Sequence, residues 1–415
     1  MVLMLASMTA SAQKYQVIDL GQLSGGSVTV YDLNSAGIAV GAASGSTFGW
    51  HGFRWQDGLM TDLGELDGGS SYATAINADG DIVGAAYRIT TAATDDSAAV
   101  TQLRAVLLPS GISEFTELPS PEQTVTEMKA LDIDDAGNVV GYVYADMADS
   151  GYAYRGFVWQ PDTGLTQVAG VLEDGGSSAL RGVNAARLQA VGYASQSGYV
   201  HAVRIDTSNP NVLSDLGTLG GNSSQGAALN DAGVVVGWAS TASDASTEGF
   251  YLPAAGDMQG IGQLDSTFQY SKATDINNAG LLVGSAQSNT GTVIYHAVVY
   301  DTAANNPGLQ DLNALIDCNS DSNERWTLTE ATAINDQGQI VGYGAKAGVT
   351  RAFLLNPVND NSDVISCAEA DAASYQNAGG GGAQAPGEWL LLALLLLAKL
   401  GWSRWEPIWR RRVRL

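Results

Sequence analysis

The chain has 415 residues, 19 basic and 43 acidic, for a formal charge of -24; only 15% of residues are charged and 50 are Gly. A surface this acidic repels phosphate backbones, which excludes nucleic acid as a partner. Three His and two Cys are too few for a Cys/His zinc cluster, and a Gly/Ser/Thr/Ala-rich chain predicts short strands and turns rather than surface helices.

The first twelve residues, MVLMLASMTASA, are small and apolar and end in Ala10-Ser11-Ala12. This reads as the remnant of a secretory signal peptide, residues 1–12, cleaved after Ala12. It lacks the usual basic start. A buried N-terminal strand is the alternative.

Residues 13–358 carry an internal repeat. Its first motif is an apolar segment, Asn/Asp-x-x-Gly, and then Val-Gly. The copies are YDLNSAGIAVG (31–41), TAINADGDIVG (74–84), LDIDDAGNVVG (131–141), RGVNAARLQAVG (181–192), AALNDAGVVVG (227–237), TDINNAGLLVG (274–284) and TAINDQGQIVG (332–342). The fourth departs, with Arg187 where Gly is expected and one extra residue. A second motif follows each first, as in HGFRW (51–55), RGFVW (155–159), HAVRI (201–205) and RAFLL (351–355). A third follows that, clearest in DLGEL (62–66) and DLGTL (215–219).

Asn/Asp-x-x-Gly between apolar runs predicts a tight hairpin, with the Asx side chain capping the turn and Gly at positive φ. Val-Gly predicts a strand pressed against another backbone. The second and third motifs supply two more strands. Four strands repeated seven times predict an all-β chain, a seven-bladed β-propeller of four-stranded blades. The last repeat has no DLG-like strand after it. The chain instead begins with one, YQVIDLGQL (15–23), so the N-terminal strand is expected to complete the last blade and leave no open edge. An open solenoid would need caps at both ends, and none is evident.

The repeat resembles that of bacterial HAF-repeat extracellular proteins, carried here by DLGTLGGNSS (215–224), AINDQGQIVG (333–342) and HGFRW. The resemblance implies an exported repeat protein and brings no enzymatic activity with it.

Aromatic residues follow Val-Gly, at the expected starts of variable loops on one face: Tyr87, Tyr142, Tyr144, Tyr193, Trp238 and Tyr343. Aromatic faces suit sugars or cationic groups, and these six are the candidate ligand-binding residues. Packing between blades is the other role open to them. His51, His201 and His296 share one repeat position on different blades, which favours structural hydrogen bonding over a metal site or a catalytic triad.

Residues 317–324, DCNSDSNE, alternate oxygen-bearing side chains. Asp317, Asn319 and Asp321 are the candidate ligands of a calcium ion, against a plain solvated loop; the turn Gly and the late acid of the usual calcium loop are missing. Cys318 and Cys367 form an even pair, expected to be oxidised in an exported protein; two free thiols are the alternative.

A Gly-rich linker (359–388) leads to WLLLALLLLAKLGW (389–402) and a basic end holding Arg410, Arg411 and Arg412. Fourteen helical residues span about 21 Å, short of a ~30 Å hydrocarbon core, unless Lys399 and Arg404 snorkel. The basic cluster would keep the C-terminus cytoplasmic. This end, 389–415, resembles a GlyGly-CTERM sorting signal: Gly-rich stretch, apolar helix, Arg cluster. The resemblance implies a C-terminal membrane helix, removed by a sorting protease of the rhombosortase type. A plain membrane anchor is the alternative.

The sequence therefore predicts an exported propeller at the cell surface, initially anchored in the inner membrane. Its function is non-catalytic binding or structure. Its partner is a surface glycan or protein, it needs no cofactor apart from calcium if the 317–324 loop takes it, and it does not bind nucleic acid. The alternative is a propeller glycoside hydrolase or lyase using loop carboxylates.

Overall fold

In the computed structural model the described residues are 13–359 and 365, except 24, 46–48, 93–98, 122–124, 148–150, 174–175, 289–291, 305–307 and 319–324. The signal-peptide reading with Ala12, the metal candidates Asn319 and Asp321, Cys367, and the C-terminal helix lie outside them. Among the described residues no helix is long and apolar enough to cross a membrane.

The described residues form 28 strands and two single-turn 3-10 helices. They make five four-stranded sheets and one eight-stranded sheet. A typical sheet is an antiparallel meander of Val28–Leu33, Ala39–Ser44, Trp50–Gln56 and Leu59–Asp62. The eight-stranded sheet is two such meanders, 71–117 and 125–168, joined by one parallel pairing of Glu127 with Leu103. Sequential meanders packed around a common cavity make a β-propeller.

The N-terminal strand closes the fold. Tyr15–Asp19 pairs antiparallel with Val349–Pro357, with Val17 opposite Leu355 and Ile18 opposite Leu354. Tyr15 and Leu20 are buried, one against the core around Leu312 and Phe353, the other against the core around Val30 and Phe53. The edge of Val349–Pro357 is thereby paired, and Tyr15–Asp19 becomes the outer strand of a complete four-stranded sheet.

The hairpin turns behave as the first motif predicts. In the first copy the Asn34 Oδ1 accepts from the N–H groups of Ala36 (3.0 Å) and Ile38 (3.1 Å), and Gly37 has φ 74°. In the irregular fourth copy Leu188 takes the positive φ, at 51°. The Asn Nδ2 does something the sequence did not reveal: it donates to the turn of the next repeat. Asn34 reaches Asn77 O at 3.1 Å, Asn230 reaches Asn277 O at 3.1 Å, and Asn277 reaches Asn335 O at 3.1 Å. Asn335 then reaches Asn34 O at 3.0 Å, so the last repeat is tied to the first.

Val-Gly has an equally direct cause. A Cβ on Gly41, Gly84, Gly141, Gly192, Gly237, Gly284 or Gly342 would stand 1.8–2.1 Å from a carbonyl oxygen of the preceding strand. Only glycine allows the strands to approach so closely. The strand before each turn bulges, as at Val30/Asp32, Ala130/Asp132 and Ala273/Asp275. Two successive residues there share one face, and that face lines the central cavity.

Candidate functional site

The first strands of the meanders line the cavity, and it has two chemically different ends. One end, of about 380 Å³, is ringed by the hairpin turns, from Asn34 and Asn77 through Asn230 and Asn335. Their side chains are committed to capping and to one another. The other end, of about 360 Å³, is lined by the middles of the same strands, including Tyr31, Lys129, Arg181, Lys272 and Glu330, and by the neighbouring Trp238.

Between these ends stand Asp32, Asp132 and Asp275, half-buried in the wall. In each, one carboxylate oxygen accepts from the following residue's N–H and the other from the next repeat: Asp32 from Ile76 (2.9 Å), Asp132 from Val183 (2.8 Å), Asp275 from Ile334 (2.8 Å). Burial pushes all three carboxyls up, against the lowering effect of these N–H donors. Asp132 rises to about 7, Asp275 to about 6, and Asp32 well above its usual value. These are staples between blades. Where Asp134 replaces the turn Asn and has no amide to donate, Asp132 supplies the link to the next repeat.

The aromatic candidates converge on the second end. They are not loop residues: the strands run on past Val-Gly, so Tyr87 lies in Ile82–Thr91, Tyr142 and Tyr144 in Val139–Met147, Tyr193 in Gln189–Gln196, Trp238 in Val235–Thr241 and Tyr343 in Ile340–Lys346. Likewise residues 85–91 and 100–103 extend a hairpin, Ile82–Thr91 with Val100–Leu108. Alternation then turns these rings the same way as the cavity-lining side chains of the first strands.

Their mutual effects trace the rim. Burial first, then neighbouring groups, raises each phenol: Tyr72 acts on Tyr31, Tyr87 on Tyr72, and Glu127, Tyr154, Tyr193 and Tyr87, in that order, on Tyr142. On the other side burial raises Tyr343, whose hydroxyl donates to Glu330 Oε2 at 2.6 Å, with Tyr295 and Tyr31 also in reach. Tyr142, Tyr144, Tyr152 and Tyr154 form one cluster with ring centroids 4.7–5.6 Å apart. Tyr152 and Tyr154 remain 52% and 42% exposed, so this cluster presents ring faces to solvent rather than filling a core.

Sequence reasoning missed the cations among these rings. Arg181 lies over both Tyr193 and Trp238, at 5.5 Å from each centroid, and Lys272 lies over Trp238 at 5.1 Å. Lys129 lies over Tyr72 at 5.6 Å, and its ammonium is pushed down, first by burial and then by the Arg181 charge. A signal was present. Lys129 and Lys272 both stand five residues before the turn Asx, and Arg181 three before it.

The histidines do not meet. Each Nδ1 pairs with the Asp that opens the third motif of its own sheet: His51 with Asp62 (2.9 Å), His201 with Asp215 (2.9 Å), His296 with Asp311 (2.7 Å). The same Asp residues accept from the N–H two positions on, at Gly64, Gly217 and Asn313. The second and third motifs are therefore one hydrogen-bonded unit. Where Glu248 replaces His, its carboxylate accepts directly from Gly262 N–H at 2.6 Å. Another recurring staple went unread: Ser71, Ser178, Ser224 and Ser271, each six residues before the turn Asn, accept from a backbone N–H of the preceding repeat and donate to a carbonyl there.

Of the calcium candidates, Asp317 is described, and its Oδ1 accepts from Ile365 N–H at 3.1 Å. Among the described residues no group of three or more His, Cys, Asp or Glu is placed to hold a metal ion. Cys318 N–H donates to Ile365 O at 2.8 Å, which brings the chain two residues from Cys367 alongside Cys318.

Residues 255–385 match the model of a family described as a protein of unknown function (DUF3466). No curated protein matches the chain. Among solved structures it is similar to TolB from Acinetobacter baumannii, at 9% identity and a TM-score of 0.38, over 67% of this chain and 64% of that one. The chain thus spans just under two thirds of that TolB. It is also similar to the β-propeller domain of the Trilobed protease from Pyrococcus furiosus, at 9% identity and a TM-score of 0.46, over 83% and 99% of the two chains. A third is oligogalacturonate lyase from Vibrio parahaemolyticus, at 8% identity and a TM-score of 0.47, over 82% and 93%.

Proposed function

We propose that this protein is a seven-bladed propeller, exported and held at the cell surface, that binds a saccharide without chemistry at its tyrosine-lined end. The blade count takes each four-strand meander as one blade, with the eight-stranded sheet as two and the last blade completed by Tyr15–Asp19. Export rests on the N-terminal apolar segment and the HAF-like repeat. Anchoring and later release rest on the GlyGly-CTERM-like tail.

The observation that carries the binding reading is the Tyr142–Tyr144–Tyr152–Tyr154 cluster. Its tilted, partly exposed rings give the flat apolar faces on which pyranose rings lie. A binding role without catalysis fits the histidines, each held by a carboxylate in its own sheet. The test is a glycan-array screen of the full chain, with and without calcium. Binding of a defined glycan class supports the reading. Binding of protein ligands only, with no glycan retained, refutes it.

A further inference from the structure

Lys129, Arg181 and Lys272 gather at the tyrosine-lined end of a body that is otherwise strongly acidic: setting aside everything from Glu388 onward leaves 13 basic and 41 acidic residues. Among the described residues none of the three side chains makes a hydrogen bond or an ion pair; each is held against an aromatic face. The sole carboxylate in the lining of that cavity is Glu330, engaged by the Tyr343 hydroxyl. Three cations against one acid leave the lining at +2. Like charges drawn together with a single counter-charge repel, and Lys129 is lowered first by burial and then by Arg181. Such a cluster gains when an anion enters.

We propose that this end of the cavity takes an anionic group of the ligand, the carboxylate or sulfate of an acidic saccharide, between Lys129, Arg181 and Lys272. The inference rests on the saccharide reading above and names the class of sugar. The aromatic rim supplies ring faces, and the cations supply charge-assisted hydrogen bonds. Trp238, flanked by Arg181 and Lys272, positions those two cations. The cavity of about 360 Å³ lies near the lower end of ordinary ligand pockets, ~300–1,000 Å³, and suits one or two sugar units. The acidic body around it repels anions at a distance, so affinity comes from contact at short range and weakens with salt.

The experiment is calorimetric titration of the full chain with a galacturonic acid trimer, its methyl ester and a sulfated trisaccharide. The ester keeps the shape and removes the charge. The acid is expected to bind at least tenfold more tightly than the ester at low salt, with the gap narrowing at high salt. Arg181→Gln and Lys272→Gln should each shrink that gap several-fold, weakening the acid more than the ester. Retained thermal melting in these variants excludes misfolding as the cause. Preference for the sulfated sugar alone, lost in the same variants, supports the anion site with sulfate as its source. Equal binding of acid and ester, or variants that keep the gap, overturns the proposal and leaves the saccharide reading intact. Failure of every glycan, neutral or acidic, to bind here and on the array overturns both.

Discussion

Gly84→Ala puts the close packing of the strands to a quantitative test. A Cβ at this position would lie 1.8 Å from the Tyr72 carbonyl oxygen and 3.1 Å from the Ala73 Cα. Both are backbone atoms within a paired strand, so no side chain can rotate away. The two strands must part by about 1 Å, at a cost near the top of the ~1–3 kcal/mol range for overpacking. The loss of chain freedom in the unfolded state returns about 0.4–1 kcal/mol. The net expectation is a destabilisation of about 2 kcal/mol. At roughly 2.1 cal/mol/K per residue, that lowers the melting temperature of a body this size by about 3 °C. The assay is urea and thermal unfolding followed by tryptophan fluorescence. Gly308→Ala is the control, since a Cβ there meets nothing within 4 Å. Unfolding of Gly84→Ala at the wild-type midpoint would refute the packing argument.

The buried acids predict a pH dependence. Asp132 and Asp275 bind protons in the folded protein up to about pH 7 and about pH 6, and in the unfolded chain only to near 3.8. Between those values the folded state holds more protons, so their contribution is full below about pH 4 and is lost as the pH rises through 7, to a total of several kcal/mol. Melting temperature measured from pH 4.5 to 7.5 should fall, and a flat or rising profile would contradict the burial of these groups. A chain beginning at Gly25 loses the strand that buries Tyr15 and Leu20, ~1.5–3 kcal/mol for each side chain; its unfolding by calorimetry should lose cooperativity, and wild-type melting would sink the closure argument. Cys318 and Cys367 are expected to be bonded, closing a loop of 49 residues worth about 4 kcal/mol in the chain-entropy model. Thiol titration of unreduced, denatured protein should find no free thiol, and two would count against the bond.

The fold was largely legible because its repeat restates local rules. Asx-x-x-Gly specifies the hairpin through one residue's conformation, and Val-Gly marks the close approach of two backbones. The missing strand after RAFLL pointed to closure by YQVID, which the register of Val17 with Leu355 matches. What stayed hidden crosses between repeats. Asn34 Nδ2 to Asn77, Ser224 to Ala202, and Asp132 to Val183 join residues tens of positions apart. Their pairing partners are backbone atoms, which carry no sequence signature. The site shows the same division. Six aromatics were readable from their place after Val-Gly, although the strands extend further than the turn signals implied. Lys129, Arg181 and Lys272 have recurring places before the turn Asx, but their convergence depends on how three separate strands face one cavity.

Binding at the tyrosine-lined end is the central claim, and hydrogen-exchange mass spectrometry with a glycan retained on the array locates it most directly. The account predicts protection confined to the segments bearing Tyr87, Tyr142, Tyr154, Tyr193 and Tyr343 and to the first strands around Lys129 and Lys272. Protection at the opposite end, on the Asn34, Asn77 and Asn230 turns, or on the outer strands alone, would contradict it.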